Sequence, residues 1–142
     1  MHADSPCPVA RTVDLLGDRW ALLILRDAFD GVARFGDFQR SLGAARNILS
    51  DRLRRLLDAG LLQQQPAADG SAYHEYVLTA AGQDLFPVLV ALRQWGERHC
   101  FAPGEAHSLL TERSSGHALP YMQPQDHNGQ PLPAHATVVR KL

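Results

Sequence analysis

The chain has 142 residues, 45% hydrophobic and 20% charged, with a formal net charge of −1. That length suits one domain with its own core plus an appendage, and no apolar run approaches the ~20 residues of a membrane span. Two cysteines, Cys7 and Cys100, exclude a disulfide scaffold and suit a reducing cytoplasm. The opening Met1–Ser5 stretch lacks the basic start and hydrophobic run of a signal peptide.

The first predicted helix opens at Cys7-Pro8-Val9, because proline fits the first helical position, where its missing N–H would have no partner. Val9, Val13 and Leu16 share one stripe of it, and Gly17 ends it. Asp18 caps a second helix, Arg19 to Phe29, whose Trp20, Leu22, Leu23, Ile24, Leu25 and Phe29 are apolar nearly all round. Such a helix is the buried centre of a small core. After the Asp30-Gly31 stop, Phe35, Phe38 and Leu42 form one helical run and Leu49, Leu53 and Leu56 another, separated at Gly43. Between residues 34 and 55 lie six arginines and two acids, a local charge of +4, which leaves −5 for the rest of the chain. Two short helices, a tight turn and a basic second helix make a helix-turn-helix, and a basic patch on an acidic chain marks a surface for a polyanion.

The helix-turn-helix ends at Ala59-Gly60, and the period then changes. Leu61–Gln65 and Tyr73–Thr79 read as two strands around the turn-rich Pro66–Ala72, a hairpin placed where a winged helix carries its wing. Thr79 caps a long helix from Ala80 to about His99, which Pro87 kinks or restarts near Phe86. Its Leu85, Phe86, Val88, Leu89, Leu92 and Trp95 exceed what a domain of this size covers internally, which points to a second copy of the chain as partner. Two edge strands, His117–Gln123 and Gln130–Val139, are expected around Asn128-Gly129, with Pro124, Pro131 and Pro133 keeping them from central positions. The expected fold is mainly α with a small β-hairpin. A winged helix-turn-helix and dimerisation domain spans residues 1–101, and a small extension with a candidate hairpin spans residues 102–142.

Cys7-Pro8-Val9, Leu16-Gly17-Asp18-Arg19-Trp20, Arg34-Phe35-Gly36-Asp37-Phe38, Leu49-Ser50-Asp51-Arg52-Leu53, Gly60-Leu61 and Tyr76-Val77-Leu78-Thr79 together resemble the HxlR family. These are winged helix-turn-helix transcriptional regulators of bacteria and archaea, and the resemblance covers roughly residues 7 to 99. It implies a homodimer joined by the first and last helices, each subunit reading half of a near-palindromic operator. Val9, Val13, Leu16, Leu89, Leu92 and Trp95 are the expected interface residues. Longer family members carry a cysteine-bearing ribbon in the tail. Here the matching stretch is Asn128-Gly129-Gln130-Pro131-Leu132, without cysteine.

With Leu49, Leu53 and Leu56 facing inward, Arg46, Asn47, Ser50, Asp51, Arg54 and Arg55 turn outward. Arg46, Asn47 and Ser50, near the helix start, are the candidates for base edges, since Arg forks onto guanine and Asn onto adenine. Arg52 either meets phosphate or braces the helix through a carboxylate; Asp51 either orients an arginine or accepts from a cytosine amino group. In the wing, Ser71 and His74 are the candidate contacts, but no Lys or Arg lies between Pro66 and Ala72 and a strong grip is not expected.

Cys7, at a helix N-terminus that favours a thiolate, is a candidate sensor of oxidants or electrophiles, an assignment that resembles the role of this cysteine in several HxlR members. Its alternative is a passive cap. Trp20, Trp95, Phe86 and Tyr121 are candidates to line an effector cavity, with core packing the more ordinary role for the first three. The histidines show no paired metal spacing, so neither metal nor cofactor is expected. No nucleophile elbow, phosphate-cradling loop or carboxylate pair is present, so no enzyme is expected either. The expectation is a dimeric regulator that binds double-stranded operator DNA in the cytoplasm, its affinity set by a small effector or by thiol chemistry. The competing reading is a winged-helix module for protein–protein contacts, which has no need of a basic recognition helix.

Overall fold

The computed structural model describes residues 3–142, in two compact units, Met1–Leu89 and Val90–Leu142. In the first, α1 (Pro8–Leu16) and α2 (Arg19–Phe29) are followed by α3 (Phe35–Leu42) and α4 (Arg46–Asp58). An antiparallel hairpin of β1 (Leu62–Pro66) and β2 (His74–Leu78) and the short α5 (Ala80–Gln83) come next. The last helix, α6 (Phe86–His99), begins in the first unit and continues into the second. No described helix is long and apolar enough to cross a membrane.

The core is where the helical periodicity places it. Ile24 and Leu25 of α2, Phe38 of α3, and Leu49, Leu53 and Leu56 of α4 are essentially sealed from solvent, with Leu61 and Leu62 beside them. Each such side chain contributes roughly 1.5–3 kcal/mol of transfer free energy. α2 is less uniformly buried than its composition suggests: Trp20, Leu22 and Leu23 are half-buried and Arg26 is exposed, pairing with buried Asp27 through Nε and Nη2 at 3.0 and 2.9 Å.

Two glycines fix how α4 is entered and left. Gly43 takes a left-handed φ of 65° and makes the helix-turn-helix turn. Gly60, with φ 76°, ends α4 in a Schellman arrangement: its N–H donates to Leu57 O at 3.0 Å and the Leu61 N–H to Leu56 O at 3.0 Å. The chain passes directly into β1, which pairs from Leu62 with Leu78 to Pro66 with His74. Tyr76 N–H of β2 reaches back to Ala33 O at 2.8 Å, anchoring the hairpin to the segment before α3. Thr79 caps α5 by accepting from Gly82 N–H at 3.1 Å, while its hydroxyl donates to Gly60 O at 2.6 Å.

The expected break near Phe86 is real: α5 ends at Gln83, and α6 starts at Phe86 with Pro87 in its first turn, where proline costs nothing. The tail differs from expectation. Neither His117–Gln123 nor Gln130–Val139 forms a strand; isolated bridges pair Thr111 with Ala118 and Gln125 with Pro131 instead. Asp126 organises the Asn128-Gly129 turn, its Oδ1 accepting from Asn128 and Gln130 N–H, both at 2.9 Å. Prolines 120, 124, 131 and 133 remove the donors that longer ladders need. Within the second unit, buried Gln94 of α6 donates to Pro120 O at 3.0 Å and accepts from Met122 N–H at 2.8 Å.

A Cβ at Gly82 would run into the Leu61 carbonyl oxygen, a backbone atom that cannot swing aside. Gly82→Ala should therefore lower unfolding free energy by about 1–3 kcal/mol in a urea titration, and an unchanged midpoint would contradict this close approach of α5 to the Leu61 backbone that leads into β1.

Candidate nucleic-acid interface

The recognition-helix candidate is α4, and its position rests on Asp18. One carboxylate oxygen, Oδ1, accepts from Ala21 N–H at 2.9 Å and caps α2; the other, Oδ2, accepts from Arg52 Nε at 3.1 Å. Arg52 also donates through Nη1 to Asp51 Oδ2 at 2.5 Å, and only 20% of its side chain is exposed. These bonds are the brace, one of the two roles that the sequence leaves open for Arg52. Asp51 in turn orients two arginines, since Arg55 Nε lies 3.0 Å from the same Oδ2.

What remains outward is a polar, basic face. Arg46, Asn47, Ser50, Arg54 and Arg55 are exposed, opposite the buried Leu49, Leu53 and Leu56. Arg54 pairs with no carboxylate among the described residues, and Arg46 lies over the Phe35 ring, its Cζ 4.9 Å from the centroid. That stacking holds a cation at the start of α4 while leaving its hydrogen-bond donors available.

The wing shows a feature that the sequence did not reveal. Arg34, the residue just before α3, forms an ion pair with Asp69 of the wing loop. Its Nη2 also donates to Ser71 Oγ at 3.4 Å, and its Cζ lies 5.5 Å from the Tyr73 ring centroid. Asp69 accepts from the Ser71 N–H at 2.9 Å. The Ser71 amide and hydroxyl, followed by Arg34, pull the Asp69 carboxyl down to about 2, and Asp69 raises the Arg34 guanidinium. Ser71 thus belongs to this cluster, and His74 is exposed at the start of β2. The signal for Arg34 was an acid in a wing loop without a cation, but 35 residues separate the partners and no local pattern joins them.

Val9 and Val13 are exposed on α1, and Val88, Leu92 and Trp95 on α6. Leu16 is instead buried in the core, and Leu89 is half-buried against it. Trp20 packs on the core, Phe86 meets Phe29 with ring centroids 5.4 Å apart, and Tyr121 lies under Arg98, whose Cζ is 3.7 Å from its centroid. Trp95, named both for an interface and for core packing, is 62% exposed, which argues against the core role. Cys7 is exposed and is the N-cap of α1, its Sγ accepting from Ala10 N–H at 3.4 Å. No cluster of three or more His, Cys, Asp or Glu side chains suited to a metal occurs among the described residues.

Four helices, of which α3 and α4 form a helix-turn-helix with a basic outer face on α4, and a trailing hairpin define a winged helix-turn-helix transcriptional regulator. The HxlR-like helix-turn-helix family model matches residues 15–103, and the chain belongs to that family. It is 46% identical over 113 residues to an uncharacterised HTH-type transcriptional regulator of Mycobacterium tuberculosis, covering 79% of this chain and 72% of that one. Among solved structures, PA1607, described as a candidate transcription factor, is 52% identical with a TM-score of 0.93 and spans 98% of this chain and 97% of its own. The redox regulator HypR in its reduced form is 28% identical with a TM-score of 0.61, over 66% of this chain and 94% of its own. These relatives are transcription regulators, not enzymes.

Because Asp18 both caps α2 and braces Arg52, its two roles separate by substitution. Asp18→Ala should cost about 1–2 kcal/mol of stability, the range for a lost N-cap, whereas Asp18→Asn keeps a capping acceptor and should cost clearly less. Equal losses in chemical denaturation would contradict the capping role.

Proposed function

We propose that the protein is a homodimeric, sequence-specific regulator of transcription, acting in the cytoplasm, that sets α4 of each subunit in the major groove of an operator half-site. The observation that carries this reading is the exposed Arg46, Asn47, Ser50 and Arg54 face of a helix whose opposite side is locked into the core. Arg46, Asn47 and Ser50 read base edges; Arg54 and Arg55 neutralise phosphates, with Asp51 orienting Arg55. Arg52 acts through the helix it braces. A second copy of the chain covers the exposed Val9 and Val13 of α1 and the exposed Val88, Leu92 and Trp95 of α6. Two-fold symmetry then supplies two recognition helices about one DNA turn apart.

Asn47→Ala should weaken binding to the selected duplex by ~1–3 kcal/mol and leave binding to shuffled DNA nearly unchanged. Arg54→Ala should weaken both. Wild-type affinity in both variants, measured by fluorescence anisotropy at moderate salt, would contradict the DNA-reading assignment.

Affinity for DNA is switched through Cys7 or by a small effector. The likeness to a redox regulator supports the thiol route, as does an exposed sulfur that caps a helix with an exposed apolar stripe. Oxidation or alkylation there adds bulk beside α1 and alters the spacing between the two recognition helices. Peroxide or a quinone should release DNA from the wild type and leave Cys7→Ser bound. Release from Cys7→Ser to the same extent would assign the switch elsewhere.

A further inference from the structure

The wing loop Pro66–Ala72 has one charged side chain, Asp69, and no cation of its own. Placed beside DNA, a lone carboxylate repels phosphate. The fold answers this with a residue from another element: Arg34, at the start of α3, which neutralises Asp69 and sits across Ser71 and Tyr73. Only Nη2 of its guanidinium is committed to these bonds; Nε and Nη1 have no hydrogen-bond partner among the described residues, and a third of the side chain remains exposed. An arginine carries five N–H donors in a planar fork, so one edge can stay on the wing while the other meets an anion.

We propose that Arg34 is the wing's DNA-backbone residue: held against the wing by Asp69, Ser71 and Tyr73, it directs its remaining donors to a phosphate beside each half-site. This rests on the operator-binding reading above and adds to it a contact outside both the recognition helix and the wing sequence. The competing role is a purely structural clasp that fixes the wing and touches no DNA. The two differ in counterion release. A phosphate contact contributes about one unit to the slope of log affinity against log salt, whereas a clasp changes affinity without changing that slope.

The test measures that slope for wild type, Arg34→Gln, Arg34→Lys and Asp69→Asn, with thermal melts establishing that each is folded. The probes are a duplex that the wild type selects from a random-sequence pool, and a shuffled duplex of equal length. Arg34→Gln should lose about tenfold in affinity and about one unit of slope per subunit on both duplexes. Arg34→Lys keeps the charge and should keep the slope. Asp69→Asn removes the carboxylate but not the cation, so its slope should equal or exceed that of the wild type. An Arg34→Gln slope equal to the wild-type slope, at whatever affinity, would overturn the proposal while leaving operator binding intact. A wild type with no salt-dependent affinity for either duplex would overturn both.

Discussion

One carboxylate holds the functional geometry together. Asp18 stands at the start of the most buried helix and accepts from two sources: the Ala21 amide of α2 and the Arg52 guanidinium of α4. The first bond satisfies an amide that the helix start leaves without a partner. The second fixes the rotation of α4, because Arg52 cannot turn outward without losing Asp18 and Asp51 together. Leucine packing alone sets which face of α4 is inside, but tolerates sliding along its axis. A directed hydrogen bond from the middle of the helix resists that slide, so Arg46, Asn47 and Ser50 are presented at a defined height. The contribution to stability is modest, since both side chains retain water. Its importance is positional.

The same logic extends through the first unit: charged side chains act in pairs across elements far apart in sequence. Arg52 ties α4 to α2, and Arg34 ties α3 to the wing. Asp51 divides one oxygen between Arg52 and Arg55, directing one arginine inward and the other along the surface. The basic character of the candidate surface on a chain of net charge −1 thus depends on which arginines are neutralised internally and which are not. Arg54 and Arg46 keep their charge unopposed, and they flank Asn47 and Ser50 on the exposed face.

Much of this was legible in the sequence where the signal is local. Pro8, Asp18, Gly43 and Gly60 punctuate the helices at the expected places, and the hairpin is shifted by a single residue at its ends. The apolar spacing of Leu49, Leu53 and Leu56 identified the inner face of α4 and so its outer one. What was not legible depends on partners far along the chain. Periodicity put Leu16 and Leu89 on stripes, but only the tertiary fold decides that the core takes them while Val88 and Trp95 stay outside. The brace from Arg52 likewise became visible only with the position of Asp18, 34 residues away. The tail misled because strand-like side chains there coexist with prolines that prevent a ladder, leaving turns and single bridges.

In the proposed complex, α4 of two subunits enters successive major grooves. Chemical interference mapping on a duplex selected by the wild-type protein tests it directly, because methylation at guanine N7 blocks the major groove and methylation at adenine N3 the minor groove. N7 methylation should abolish binding in two clusters about one helical turn apart, with adenine N3 methylation having little effect within them. Binding that tolerates guanine N7 methylation throughout the site, or that is lost from one cluster alone, would contradict it.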